Sequence, residues 1–126
     1  MKTKLDRAVK AAQIMARLNA IRTKMPSTAR KIFGLKKLLQ ENFEFYAAEE
    51  SKLIESLGGT VEDDGTIIFA DQKEGMKKLT EGRRDLLETE VEISIDTPVI
   101  FRDSEGLQVS GEEIEILDGL ADFKEG

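Results

Sequence analysis

The sequence has no cysteine and no histidine. The first absence rules out disulfides, thiolate metal sites and a cysteine nucleophile, and makes an intracellular setting the default expectation. The second removes the commonest general base and the commonest zinc ligand. Tryptophan is missing too. Aromatic residues make up only 6% of the chain against 35% charged, a balance that suits elongated helices better than a deep globule. No apolar run approaches the roughly twenty residues of a membrane span, and no signal peptide is expected ahead of the chain.

Catalytic templates fail in turn. No glycine-rich stretch leads into Gly-Lys-Ser or Gly-Lys-Thr, and Gly58-Gly59 ends a helix instead of opening one, so neither a Walker loop nor a dinucleotide fingerprint is present. The serines have no histidine to activate them and no Gly-x-Ser-x-Gly elbow. Carboxylates are so plentiful that a pair of them discriminates nothing. A nuclease built from Asp and Glu alone stays open, but no motif asks for one. The expectation is a non-enzymatic protein with no cofactor and no metal.

What the chain does have is an uneven charge. Net charge is −6. Residues 1–40 nevertheless hold eleven lysines and arginines against a single acid, Asp6. Residues 41–126 hold eight bases against twenty-four acids. The plain reading sets the basic helix beside acidic segments of its own chain or of a second copy. The alternative is that the basic end binds a polyanion.

At 126 residues, a single domain spanning 1–126 is expected. Its first part, 1–59, reads as a helical hairpin. Residues 3–25 form the first helix, with Ala8, Ala11, Met15, Leu18, Ile21 and Met25 on one face. The small residues Ala8, Ala11, Ala12 and Ala16 would let another helix come close. A break only at Pro26, as a non-helical start, leads into the long second helix, with Ser27 or Thr28 as its cap. Its buried stripe is Ile32, Leu35, Leu39, Phe43, Tyr46, Leu53 and Leu57, and Gly58-Gly59 supplies the left-handed stop. Gly34, inside this helix, costs about 1 kcal/mol relative to alanine, which suggests a close crossing or a bend.

The second part, 60–126, reads as a β-hairpin, a third helix, strands and a short C-terminal helix. Thr60–Val61 and Thr66–Phe69 flank Asp63-Asp64-Gly65, a hairpin signal and not the alternating acids of a calcium loop. Asp71 with Glu74 opens the third helix, whose inner side is Met76, Leu79, Leu86 and Leu87. Lys77, Lys78, Arg83 and Arg84 either balance nearby glutamates or grip an anion. Val91, Ile93 and Ile95 alternate with Glu90, Glu92 and Ser94 as a half-exposed strand. Thr97-Pro98 interrupts it, and residues 99–101 continue as an edge or crossover. Asp103–Gly106 is a turn, and Leu107 and Val109 form a short extended piece. Ser110 with Glu113 caps a short helix whose Ile114 and Leu117 face inward. Gly119 ends it, Leu120 and Phe123 tuck the tail down, and Lys124–Gly126 fray. The fold class expected is α+β: a long antiparallel helical hairpin, a third helix, a β-hairpin, a small mostly antiparallel sheet and a short C-terminal helix.

This layout resembles a group of small, mostly uncharacterised proteins of tailed bacteriophages. The resemblance is carried by MPSTARKIFGLKKLL, EESKLIESLGG, the DDG turn, VEISIDTPVIF and LQVSGEEIEILDGLADF, and it covers most of residues 12–123. It implies an accessory protein in the cytoplasm of an infected bacterium and no particular activity. Within that setting two functions are expected. One is a homo-oligomeric counter-defence protein that sequesters a host signalling nucleotide or blocks a host factor. Arg22, Lys24, Arg30 and Lys31 would meet phosphates, Arg83 and Arg84 would form a second anion site, and Tyr46, with Phe43 and Phe45, would stack a base if exposed. The other is a head or tail accessory of the virion. Self-association and a host nucleotide or protein are the expected partners, and no membrane. The acidic pI of about 4.8 argues against nucleic acid.

Overall fold

In the computed structural model, which describes residues 1–102 and 106–124, two helices and what leans on them make up an α+β fold. Strand β1 (Lys2–Lys4) runs directly into helix α1 (Leu5–Asn19), and helix α2 (Pro26–Ser56) returns antiparallel to it. A β-hairpin (β2, Thr60–Val61; β3, Ile67–Ile68) and helix α3 (Gln72–Leu87) follow. Strands β4 (Glu90–Glu92) and β5 (Val99–Arg102), helix α4 (Gly111–Ile116) and strand β6 (Ala121–Lys124) complete the chain.

Helix α1 is shorter than its periodicity suggests at both ends. Residues 2–4 are taken by antiparallel pairing with β4, and the Leu5 amide donates to Thr89 O at 2.7 Å where that pairing ends. At the other end Pro26 is the first helical residue of α2, not an entry ahead of it. A residue before proline is held extended, and Met25 is, at φ −121° and ψ 126°. The reversal therefore occupies residues 20–25. Ile21 and Met25, expected on the buried face, are each 47% exposed there. Neither Ser27 nor Thr28 caps α2; the cap residue is Met25, which has no side chain to do it. The Thr28 side chain is instead buried, its hydroxyl without a partner among the described residues.

Alanines hold the hairpin together, as the small-residue run implies. Ala8, Ala11 and Ala12 are buried beside Met15 and Leu18, and α2 answers with Ile32, Leu35 and Leu39. Ile93, Phe101, Leu117, Leu120 and Ala121 close this core from the C-terminal part. Each fully buried Leu or Ile of that set contributes about 1.5–3 kcal/mol. A 31-residue helix rises about 45 Å, so α2 outruns α1 and needs a second core at its far end. There Ile54 packs with Phe69 and Leu79.

Glycines set that second contact. A Cβ on Gly75 of α3 would sit 2.2 Å from Phe69 Cγ, and one on Gly82 would sit 2.6 Å from Leu53 Cδ2. Gly34 shows no such need: nothing lies within 4 Å of an added Cβ, so it marks no close crossing. Asp71 caps α3 as expected, accepting from the Glu74 amide at 3.2 Å.

The small sheet is three separate two-stranded pieces. β1–β4 and β2–β3 are antiparallel; β5–β6 is parallel, with α4 in the crossover that parallel pairing requires. Lys124 is thus in a strand and not frayed, and Phe123 stacks on Phe101 with ring centroids 5.4 Å apart. Leu107 and Val109 lie in irregular chain, half-buried against the main core. In α4 the Ser110–Glu113 capping box forms, but Ile114 points outward at 43% exposure and Ile116 takes the inner place beside Leu117. Of the turn expected at Asp103–Gly106, residues 103–105 lie outside the described residues, as do Glu125 and Gly126.

Two arginines of α1 clasp α4 lengthwise. Arg17 Nη2 donates to Glu113 Oε2 at 2.6 Å at its N-terminal end. Arg7 donates to Ile116 O at 2.9 Å and to Asp118 O at its C-terminal end, meeting carbonyls that the helix leaves unpaired. Glu113 titrates below the usual carboxylate range, first because it accepts from the Ser110 amide and then because of Arg17.

Candidate functional site

The anion-site residues read from the sequence fall into two groups, one at the start of α2 and one where α3 meets its second half. Arg22 and Lys24 lie in the 20–25 connection and Arg30 in the second turn of α2; all three are exposed. Among the described residues none of the three makes a hydrogen bond or an ion pair through its side chain. They surround a helix start with no acidic residue in its first turn and no side-chain cap. The Thr28 and Ala29 amides both turn back to Met25 O, at 3.0 and 3.3 Å. The partial positive charge at that end of α2 adds to the three cations. Lys31 is differently placed: its Nζ donates to Ile100 O at 3.0 Å and ties α2 to β5.

The second group lies about 24 Å further along α2, by the rise from position 30 to position 46. Here Glu50 is the hub. Tyr46 Oη donates to Glu50 Oε2 at 2.9 Å, and Arg83 Nε donates to the same oxygen at 2.9 Å. Burial and then this carboxylate raise the Tyr46 phenol above its ordinary value, because the hydrogen bond favours the protonated ring. Arg83 is thereby engaged with a glutamate of its own chain, the balancing role left open for the basic cluster of α3. Arg84, exposed, borders a shallow depression with Asp6, Thr80, Arg83 and Glu88, where two acids offset the two arginines. The seven residues therefore do not converge on one ligand, and Tyr46 is not poised to stack a base over the cations of the first group.

Aromatic exposure lies elsewhere. Phe43, expected in the buried stripe, is 40% exposed, and Phe45 and Phe33 are 44% and 55% exposed. Beside Phe43 the α1 side of the groove offers Ala12 and Ala16, side chains too short to cover a ring, and Gln13. With Lys36, Gln40 and Phe43 they leave an open groove of about 250 Å³ between α1 and α2. Phe33 carries no warning in the stripe arithmetic beyond lying one step off Ile32. The alanines expected to draw the helices together are also what leaves this groove.

The Asp63-Asp64-Gly65 segment is a turn, as expected. Asp64 Oδ1 accepts from the Thr66 amide at 2.9 Å, a bond that lowers its pKa, and Gly65 adopts φ 88°. Among the described residues no cluster of three or more acids is gathered that could hold a metal ion, and no helix is long and apolar enough to cross a membrane. No protein-family model matches the chain, and no curated protein and no solved structure matches it either.

Proposed function

We propose that the protein acts by binding and not by bond-making, and that it holds an anionic group at the junction of α1 and α2. One observation carries this reading: Arg22, Lys24 and Arg30 stand exposed and unpaired among the described residues around the uncapped start of a 31-residue helix. Exposed cations grouped at a helix N-terminus concentrate positive potential there, which an external phosphate or carboxylate would meet. In the phage setting that the sequence resembles, the sharpest form of the reading is counter-defence by sequestering a host signalling nucleotide.

Isothermal titration calorimetry against cyclic dinucleotides and ADP-ribose derivatives tests it. Saturable heat is expected for at least one of these, and is expected to be lost when Arg22, Lys24 and Arg30 are together replaced by alanine. Flat traces throughout the panel sink the sequestration reading.

Phe45, exposed on α2, favours a second reading, docking onto a protein of the host or of the virion head or tail. Copurification with particles separates these, since a nucleotide sponge has no reason to remain with purified virions.

A further inference from the structure

Ala29, Phe33, Lys36, Gln40, Phe43 and Ala47 follow one another along α2 at alternating steps of four and three. That is the spacing of a helix–helix seam, and it runs beside the stripe already buried against α1. All six are exposed except Lys36, which is half-buried. The row holds one charge in a chain that is 35% charged, and two large rings in a chain that is 6% aromatic.

We infer that this seam is covered by a second copy of the chain, with α2 packed antiparallel on the partner's α2 about a two-fold axis near position 38. The commitment to this occupant comes from charge and from register. Residues 26–40 of α2 carry Arg30, Lys31, Lys36 and Lys37 and no acid. Residues 41–56 carry Glu41, Glu44, Glu49, Glu50 and Glu55 against Lys52. A helix of this kind is complementary to its own reverse: an antiparallel copy sets each cationic half against an anionic one, whereas a parallel copy sets like against like.

Phe33 and Phe43 lie symmetrically about position 38, so the axis that satisfies the charges also stacks Phe33 over the partner's Phe43, twice. The groove lined by Ala12, Ala16 and Phe43 then receives the partner's Phe33, and Ala29 faces the partner's Ala47. Lys36 faces the partner's Gln40, which keeps the two lysines about a turn apart. Arg30 lies beside the partner's Glu44, and Lys37, close to the axis, lies as near along the helices to the partner's Lys37 as to the partner's Glu41. The two hairpins together form a four-helix arrangement.

This deepens the self-association expected of the protein; it turns Arg30 toward the partner's Glu44 and leaves Arg22 and Lys24 to an anion at the α1–α2 junction, on which it does not depend. Its measurements read mass and cross-linking, so either idea can fail without the other. In sedimentation equilibrium the protein is expected at twice its 14.1 kDa chain mass. Phe33→Glu and Phe43→Glu are each expected to raise the dissociation constant at least about tenfold, with an unchanged far-UV circular dichroism spectrum, since both rings are exposed in the single chain. Arg30→Glu and Glu44→Arg are each expected to weaken the dimer, and their combination to restore it.

The absence of cysteine permits a register test. Ala29→Cys mixed with Ala47→Cys is expected to cross-link on oxidation, and neither alone. A single-chain mass up to about 100 μM, a concentration that tests for all but weak association, overturns the proposal. So does a dimer indifferent to both Phe→Glu changes, or one in which Ala29→Cys cross-links to itself.

Discussion

Replacing Gly75 by alanine tests the packing of α3 on the far end of α2 more sharply than any truncation. Alanine is preferred to glycine inside a helix by about 1 kcal/mol, so the local effect alone is stabilising. Against it stands Phe69. The new Cβ would fall 2.2 Å from Phe69 Cγ and 2.6 Å from its Cβ, where carbon atoms ordinarily meet at about 3.5–4.0 Å. Those atoms lie at the root of the ring and cannot swing aside. The ring cannot slide away either, because Gly59 already gives it room on the opposite side: a Cβ there would meet Phe69 Cε1 at 2.6 Å.

Phe69 is 6% exposed, and its burial is worth about 1.5–3 kcal/mol. Overpacking a filled site costs about 1–3 kcal/mol. The net expectation is destabilisation by about 1–2 kcal/mol. Gly34→Ala is the internal control, with nothing within 4 Å to oppose it and an expected gain of about 1 kcal/mol. Gly82→Ala meets only the flexible tip of half-buried Leu53 and should fall between the two. Urea unfolding followed by circular dichroism, with all variants at one protein concentration, reads the differences directly. Should Gly75→Ala stabilise as much as Gly34→Ala, the close approach of α3 to Phe69 is wrong.

Tyr46 is the only tyrosine and there is no tryptophan, so an ultraviolet titration reports on it alone. Its ionisation is expected above pH 10, and Glu50→Gln should move it down while burial keeps part of the shift; an ordinary midpoint in the native protein would refute the Tyr46–Glu50 contact. Glu113 has a folded pKa below its unfolded one, so its contribution is complete above about pH 4.3 and disappears as pH falls further. The urea midpoint of Glu113→Gln should therefore lose less between pH 5 and pH 3, about the range of carboxylate titration, than that of the wild type; equal losses would refute the assignment. Phe101→Ala, in the main core and stacked on Phe123, should cost about 3–5 kcal/mol, and Phe33→Ala about 0.5 kcal/mol or less in protein kept dilute enough to be a single chain. Similar costs for both would mean that Phe33 is not exposed.

Much of the candidate surface could be read in advance, because the signals involved are local. The junction cations Arg22, Lys24 and Arg30 stand out by composition alone; Arg22 and Lys24 are exposed in the 20–25 connection and Arg30 on the outer face of α2. Tyr46 and Arg83 do meet, but on Glu50, a carboxylate one turn along α2 from Tyr46. Nothing in a one-dimensional pattern ranks those partners. Phe43 shows the same limit from the packing side. Its spacing puts it in the stripe, but burial also needs a neighbour of matching size, and α1 presents alanines there.

Periodicity, proline and glycine positions, and acid–amide capping pairs act over a few residues, and they determined the order of elements, the α2 stripe from Ile32 to Leu39, the Asp71 and Ser110 caps and the Gly65 turn. The choice of neighbours belonged to the tertiary structure. It made residues 2–4 a strand and not a helical turn, gave the 121–124 tail a parallel partner in β5, set Gly75 and Gly82 at close contacts while Gly34 stays open, and left Phe33 and Phe43 uncovered. The physical reason is that strand pairing and side-chain burial are decided between segments far apart in the chain, by whichever surface happens to fit.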